Sequence, residues 1–223
     1  MASYIQSKVR QSLSFLLVLV IAFSVFTGVL FVNPSPSYAY SVYGYTMAIS
    51  GDTDLNLAAE DLSNADLGGA NLIRANLTGA NLTKVNLTGA NLTGASLVRA
   101  KLIYTRLVNA DLSGADLSGA YLSGATLLAV NLSKADLSGT ELSGLRLKFV
   151  NLSEARLIGA NLSGADLSSA DLSGADLRRA DLRRVDLRRV DLRSADLSGA
   201  IADSDTKFPD GFDAVGTGVK IVD

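Results

Sequence analysis

Between Asp176 and Arg193 the chain reads DLRRADLRRVDLRRVDLR, seven arginines and four aspartates in eighteen residues. Guanidinium groups at that density are the chemistry of phosphate contact, and a nucleic-acid arm is the first function they suggest. The carboxylates suggest two others. A facing pair about 5–9.5 Å apart would serve glycoside hydrolysis, and oxygen-only ligand sets suit calcium. With no His and no Cys among 223 residues, His-based triads, thiolate nucleophiles, structural zinc sites and disulfides are excluded. A formal net charge of −2 provides no overall field toward DNA.

What these side chains can do depends on the backbone that carries them, and the leucines define it. Leucine stands at every fifth position from Leu57 to Leu197, twenty-nine times without a skip. A small residue, usually Ala, sits two places before each; Glu60 and Leu145 are the clear departures. Asn or Asp most often lies between, and Ser, Thr or Arg and then commonly Gly follow. On an α-helix, five residues advance about 500°, scattering the leucines around the axis. On one long strand, an odd spacing would alternate them between faces. A short extended segment, however, points the small residue and the Leu the same way and the Asn/Asp opposite. If the chain turns about a right angle at each Ser-Gly pair, all leucines share one interior. Four turns close a square coil of twenty residues, and coils stack at about 4.8 Å into a rod about 34 Å long. Apolar residues at 48% with only 6% aromatic and no Trp suit such a core of medium and small side chains.

These units, as in ADLSG (110–114) and ANLTG (75–79), resemble the pentapeptide-repeat family from about residue 55 to 200. The resemblance implies an all-β fold, a right-handed quadrilateral parallel β-helix of about seven coils with short capping segments. The leader and the tail TKFPDGFDAVG are similar to those of exported cyanobacterial members of the thylakoid lumen or periplasm. The family also includes DNA-mimicking topoisomerase inhibitors. Here Lys101, Arg106, Arg146, Arg156 and the arginine run interrupt the acidic columns.

Residues 1–39 have the layout of a Sec-type signal peptide. Lys8 and Arg10 precede the apolar stretch Leu13–Val32, and Ser37 and Ala39 occupy the −3 and −1 positions of a cleavage site. The stretch is also long enough to span a bilayer as a retained anchor. Either way the positive flank stays inside and the body is exported. Cleavage leaves a chain beginning at Tyr40 with 18 basic and 22 acidic residues, and no membrane contact is expected of it.

In the square coil, Arg178, Arg183, Arg188 and Arg193 leave four successive sides, with Arg179, Arg184 and Arg189 at the corners between them. The run is thus a collar. Its guanidinium groups relieve stacked aspartates such as Asp176 over Asp196, although single exposed pairs contribute little. A solvated structural collar is expected, with contact to a protein or lipid headgroup as the functional alternative and no nucleic-acid partner. Asp or Asn at the slot before Leu follows from the repeat, so no catalytic pair, metal site or cofactor is assigned. A second candidate surface is apolar. Ile103, Val108 and Leu128 fall at outward slots with Tyr104 and Tyr121 nearby, and Val108 should stack under Leu128. Either a protein partner or the chain's own flanking segment would cover them. Leu145, at an inward small-residue site, should swell its coil. Residues 40–56, with Tyr40, Tyr43, Tyr45 and Ile49, are expected to cap the first coil of the body 57–200. Phe208, Pro209, Phe212, Val215 and Ile221 in the tail 201–223 are expected to cap the last. End-to-end dimerisation is the alternative to a capped monomer. The function expected is a non-catalytic exported structural or protein-binding module. The alternatives are a cytoplasmic DNA mimic and a polysaccharide-active β-helix enzyme.

Overall fold

The computed structural model describes residues 55–223, together with the backbone of 38–42 and 45–49. In every pentad but two from Asn56 to Asp181 the residue before Leu forms a parallel bridge with its counterpart twenty residues on, the exceptions being Thr126–Arg146 and Asp166–Asp186 on one side. Asn56 pairs with Asn76, Asp61 with Asn81, Asp66 with Asn86 and Asn71 with Asn91. These four columns define the sides of the coil, numbered 1 to 4 in that order. The expected period of four pentads is therefore present as backbone pairing. Each strand bonds in both directions: Leu82 N–H donates to Lys101 O at 2.8 Å, and Asn81 N–H to Glu60 O at 2.9 Å.

Between sides the chain turns by one residue-economical device. Ala65 N–H donates back to Leu62 O at 3.0 Å, and Asn64 at the third turn position has φ 63°. A positive φ there is the signature of a type II turn, which is why Gly is frequent at the corner. Arg74, Tyr104, Phe149, Arg179 and Arg184 adopt it too. Arg189 does not: its corner keeps the Val190 N–H bond to Leu187 O without the left-handed residue.

The interior follows from this bend. Every repeat leucine from Leu62 to Leu197 is buried, with the small residues beside them. Each is worth roughly 1.5–3 kcal/mol relative to exposure. Thr105 and Thr140 occupy small-residue sites and are buried, yet neither hydroxyl is orphaned. Thr105 Oγ1 donates to Leu82 O at 2.7 Å and Thr140 Oγ1 to Leu137 O at 2.6 Å.

Leu145 enlarges its coil as its volume requires. It is buried where Ala125 and Ala165 stand one coil below and above. Across this seam Leu122, Gly124 and Leu127 donate no backbone hydrogen bond to the next coil, and the Thr126–Arg146 bridge is missing. The equivalent donors below, Leu102, Tyr104 and Leu107, bond at 2.8, 2.9 and 2.9 Å, and those above, Leu142, Gly144 and Leu147, at 2.8, 3.0 and 2.8 Å. A branched side chain in place of a methyl pushes sides 2 and 3 apart locally.

Beyond the last pentad the chain keeps the stack but loses the period. The strand β3 (Ile201–Ala202) pairs in parallel with β4 (Lys220–Ile221). Asp186 bridges Lys207, one residue further than the period of twenty. Phe208 and Phe212 pack against the core and stack with ring centroids 5.4 Å apart. Val215 and Ile221, expected to cover the end, are instead 70% and 51% exposed; Val219 is buried in their stead. Ile221 pairs in parallel register with buried Ala202 but belongs to the last layer, where no further coil covers it among the described residues, while Val219 N–H is held by Ala214 O at 3.0 Å. At the other terminus β1 (Tyr38–Val42) and β2 (Tyr45–Ile49) form an antiparallel hairpin, Tyr40 opposite Met47. What its side chains cover, and the leader's apolar stretch Leu13–Val32, lie outside the described residues.

Candidate functional site: the collar and the faces of the rod

The slot before each leucine is chemically occupied by the fold itself. Asp111 Oδ1 accepts the N–H of Ser113 at 2.9 Å, and Asp171 Oδ1 that of Ser173 at 2.9 Å. Asn side chains do the same and also link coils: Asn81 Nδ2 donates to Asp61 Oδ1 at 2.9 Å and Asn131 Nδ2 to Asp111 Oδ1 at 3.0 Å. These carboxylates fix backbone, which is a structural duty. No group of three or more His, Cys, Asp and Glu able to hold a metal occurs among the described residues.

The collar is a set of forks within single strands. Arg178 meets Asp176 through Nε–Oδ1 at 2.8 Å and Nη2–Oδ2 at 2.6 Å. Arg183, Arg188 and Arg193 meet Asp181, Asp186 and Asp191 in the same way. Interleaving between coils, the expected arrangement, is confined to Arg178 Nε with Asp196 Oδ2 at 3.8 Å. A two-residue spacing on one extended strand puts both side chains on the same face, so the nearest acid is the strand's own. The Arg188 fork holds the Asp186 carboxyl at about 2, against an ordinary 3.8. Asp176, Asp181 and Asp191 are lowered for the same reason, first of all by the hydrogen bond from the following Arg. Corner residues Arg179, Arg184 and Arg189 form no ion pair among the described residues.

The apolar candidates divide between two sides. Tyr121 is 57% exposed on side 2, with Ile103 half-buried one coil below. Leu128, 41% exposed, stands on side 3 over half-buried Val108, as the Arg106–Thr126 bridge requires. Tyr104, 63% exposed, sits at the corner between sides 2 and 3. Its ring lies along that corner: a Cβ on Gly124, one coil up, would come 2.5 Å from two ring carbons. Lys84, Val85, Asn86, Tyr104 and Arg106 line an open groove of about 300 Å³ there. Phe149, at the far corner of side 3, is 61% exposed and was not among the sequence candidates. Its signal was available in the slot before leucine. Asn or Asp gives way to Lys101, Arg106, Tyr121, Thr126 and Arg146 in this stretch, and each replacement gives up a backbone-fixing carbonyl or carboxylate.

Comparison with known proteins gives these features a family. Pentapeptide repeats, in eight copies, match residues 61–97, 95–127, 130–168, 146–184 and 165–201. No curated protein sequence matches the chain significantly. Among solved structures, it is similar to HetL, a pentapeptide repeat protein involved in heterocyst differentiation regulation from the cyanobacterium Nostoc sp. strain PCC 7120. Identity is 34% over 71% of this chain and 82% of that one, with a TM-score of 0.35. A pentapeptide repeat protein from the Arabidopsis thaliana thylakoid lumen is 31% identical over 55% and 68% of the two chains, TM-score 0.20. QnrB1, a plasmid-mediated fluoroquinolone resistance protein, is 24% identical over 68% and 83%, with a TM-score of 0.53, and shows the fold alone. The chain belongs to the pentapeptide-repeat family, whose repeat builds a right-handed, four-sided β-helix that is generally non-enzymatic.

Proposed function

We propose that the protein is an exported, non-catalytic rod of about seven coils that binds a protein partner through its side, in the thylakoid lumen or the periplasm. The observation that carries this is the exposure of Tyr104, Tyr121, Leu128 and Phe149. They lie in successive coils at outward positions where the repeat elsewhere mostly presents polar, charged or Gly residues. Aromatic side chains held on a rigid scaffold are the usual anchors of protein interfaces, and no described residue covers these. The use of the repeat carboxylates as backbone acceptors speaks for a binding role over glycoside hydrolysis. Neutralisation of Asp176, Asp181, Asp186 and Asp191 by arginine forks speaks against a DNA mimic, which needs uninterrupted negative columns. Export rests on Lys8, Arg10, the apolar Leu13–Val32 and the Ser37/Ala39 cleavage pattern.

The test combines fractionation of the native cell with chemical crosslinking in the compartment where the chain is found. A processed chain starting at Tyr40, crosslinked to one protein that a Tyr121→Ser/Leu128→Ser variant no longer captures, is the expected result. A chain confined to the cytoplasm, or partners retained equally by the variant, overturns it.

A further inference from the structure

Charge on the rod is not evenly spread, and side 3 is where it departs most. Consider the three coils containing the apolar residues and the one below them, with each side taken together with its two bounding corners. Side 3 then comprises 84–89, 104–109, 124–129 and 144–149, and carries Lys84, Arg106, Arg146 and Lys148 with no acid. Side 4 in the same coils carries Lys134 against Asp111 and Glu154. Only Lys148 has an ion-pair partner, Asp166 at 3.4 Å; Lys84, Arg106 and Arg146 have none among the described residues. All four cations are exposed. On the same side stand Leu128 and, at its two corners, Tyr104 and Phe149. Arg106, Thr126 and Arg146 replace the Asx residues that would have fixed the backbone here.

Resting on the protein-binding reading above, we propose that side 3 docks an acidic protein segment that also carries apolar side chains. Arg106 and Arg146, two coils or about 10 Å apart, bind its carboxylates as bidentate forks. Tyr104, Leu128 and Phe149 form the apolar floor, and the groove beside Tyr104 and Arg106 receives one side chain. The surface is shallow. The Tyr104 ring lies along the corner, Val108 is half-buried and Leu128 is little more exposed, which leaves Phe149, 61% exposed, as a lone projecting ring and too little to wedge into lipid. A flat cationic and aromatic face suits a protein segment laid across it.

Fluorescence anisotropy with the full chain and a fluorescein-labelled twelve-residue probe, four repeats of Glu-Glu-Phe, tests this, with Lys-Lys-Phe repeats as the counterpart. The acidic probe binds and the basic one does not. Arg106→Ser/Arg146→Ser weakens binding about tenfold or more, since charged hydrogen bonds are lost. The variant should fold, because Ser96 fills the same slot on side 1. Leu128→Ser/Phe149→Ser weakens binding with little change in salt dependence, and Arg183→Ser/Arg193→Ser on sides 2 and 4 has no effect. Equal binding of both probes, indifference to the Arg106/Arg146 change, or capture of phosphatidylglycerol vesicles or duplex DNA in place of the peptide overturns the proposal. If the probe fails while Leu128→Ser still abolishes the native crosslink, the acidic chemistry falls and the protein-binding function stands.

Discussion

Replacing Leu145 by Ala should cost almost nothing, although a buried leucine is being truncated. Such a change ordinarily loses about 2–5 kcal/mol through transfer and cavity terms. At this position the leucine also holds two coils apart, and the donors Leu122, Gly124 and Leu127 go without the acceptors that their counterparts reach one coil below and one above. Three recovered backbone bonds at about 0.5–1.5 kcal/mol each return about 1.5–4.5 kcal/mol. The alanine leaves little cavity, because Ala125 and Ala165 fill the same site in the neighbouring coils. At the midpoints of the two ranges, about 3.5 kcal/mol lost and about 3 kcal/mol returned, the terms nearly cancel. Leu142→Ala in the same coil is the control. It is 2% exposed, its N–H already bonds Asn161 O at 2.8 Å, and it should lose the full 2–5 kcal/mol. At roughly 2–4 °C per kcal/mol for a chain of this size, Leu142→Ala lowers the melting temperature by about 4–20 °C while Leu145→Ala leaves it within a few degrees. Hydrogen exchange gives the second readout: the Leu122, Gly124 and Leu127 amides slow in Leu145→Ala. Equal destabilisation by both substitutions, with those three amides unchanged, refutes the account of the seam.

Three further outcomes follow from the geometry. Gly144→Ala faces open space and should cost only the left-handed penalty of about 1–2 kcal/mol, whereas Gly124→Ala must also displace the Tyr104 ring. A larger loss at Gly124, with a changed tyrosine signal in near-ultraviolet circular dichroism, checks it. The collar carboxylates titrate below their unfolded values, so their contribution is present above about pH 4 and is lost as pH falls toward the Asp186 value of about 2. A variant with Arg178, Arg183, Arg188 and Arg193 changed to Ser should be less stable than the native chain at pH 7, and the difference should shrink as pH falls across that acid window, measured by urea unfolding. Intact-mass measurement on the native protein should give a chain beginning at Tyr40; retention of Met1 would reject cleavage.

The leucine spacing carried the coil, its twenty-residue period and the inward Leu–small pairs, because a single repeated bend admits one interior. The same register placed Arg178, Arg183, Arg188 and Arg193 on successive sides. It did not reveal that each fork closes on its own strand, since side-chain reach is not contained in spacing. Phe149 was legible as a corner residue but not as part of a surface; its relation to Leu128 and Tyr104 appears only when three coils are superposed. The tail was harder still. Once the pentad ends, no period distinguishes Val219 from Val215, and only the pairing of β4 with β3 decides which turns inward.

The ladder has a chemical consequence for the age of the molecule. Asparagine deamidates when the amide nitrogen of the next residue attacks its side-chain carbonyl to form a succinimide ring. For the asparagines in the slot before leucine, that nitrogen is already committed: Leu77, Leu92, Leu132 and Leu152 N–H groups donate to the adjoining coil at 2.7, 2.6, 2.7 and 2.7 Å. The extended strand also holds nitrogen and carbonyl out of ring-closing geometry. A chain this rich in asparagine should therefore resist spontaneous damage for as long as its coils stay stacked, and begin to decay wherever they part.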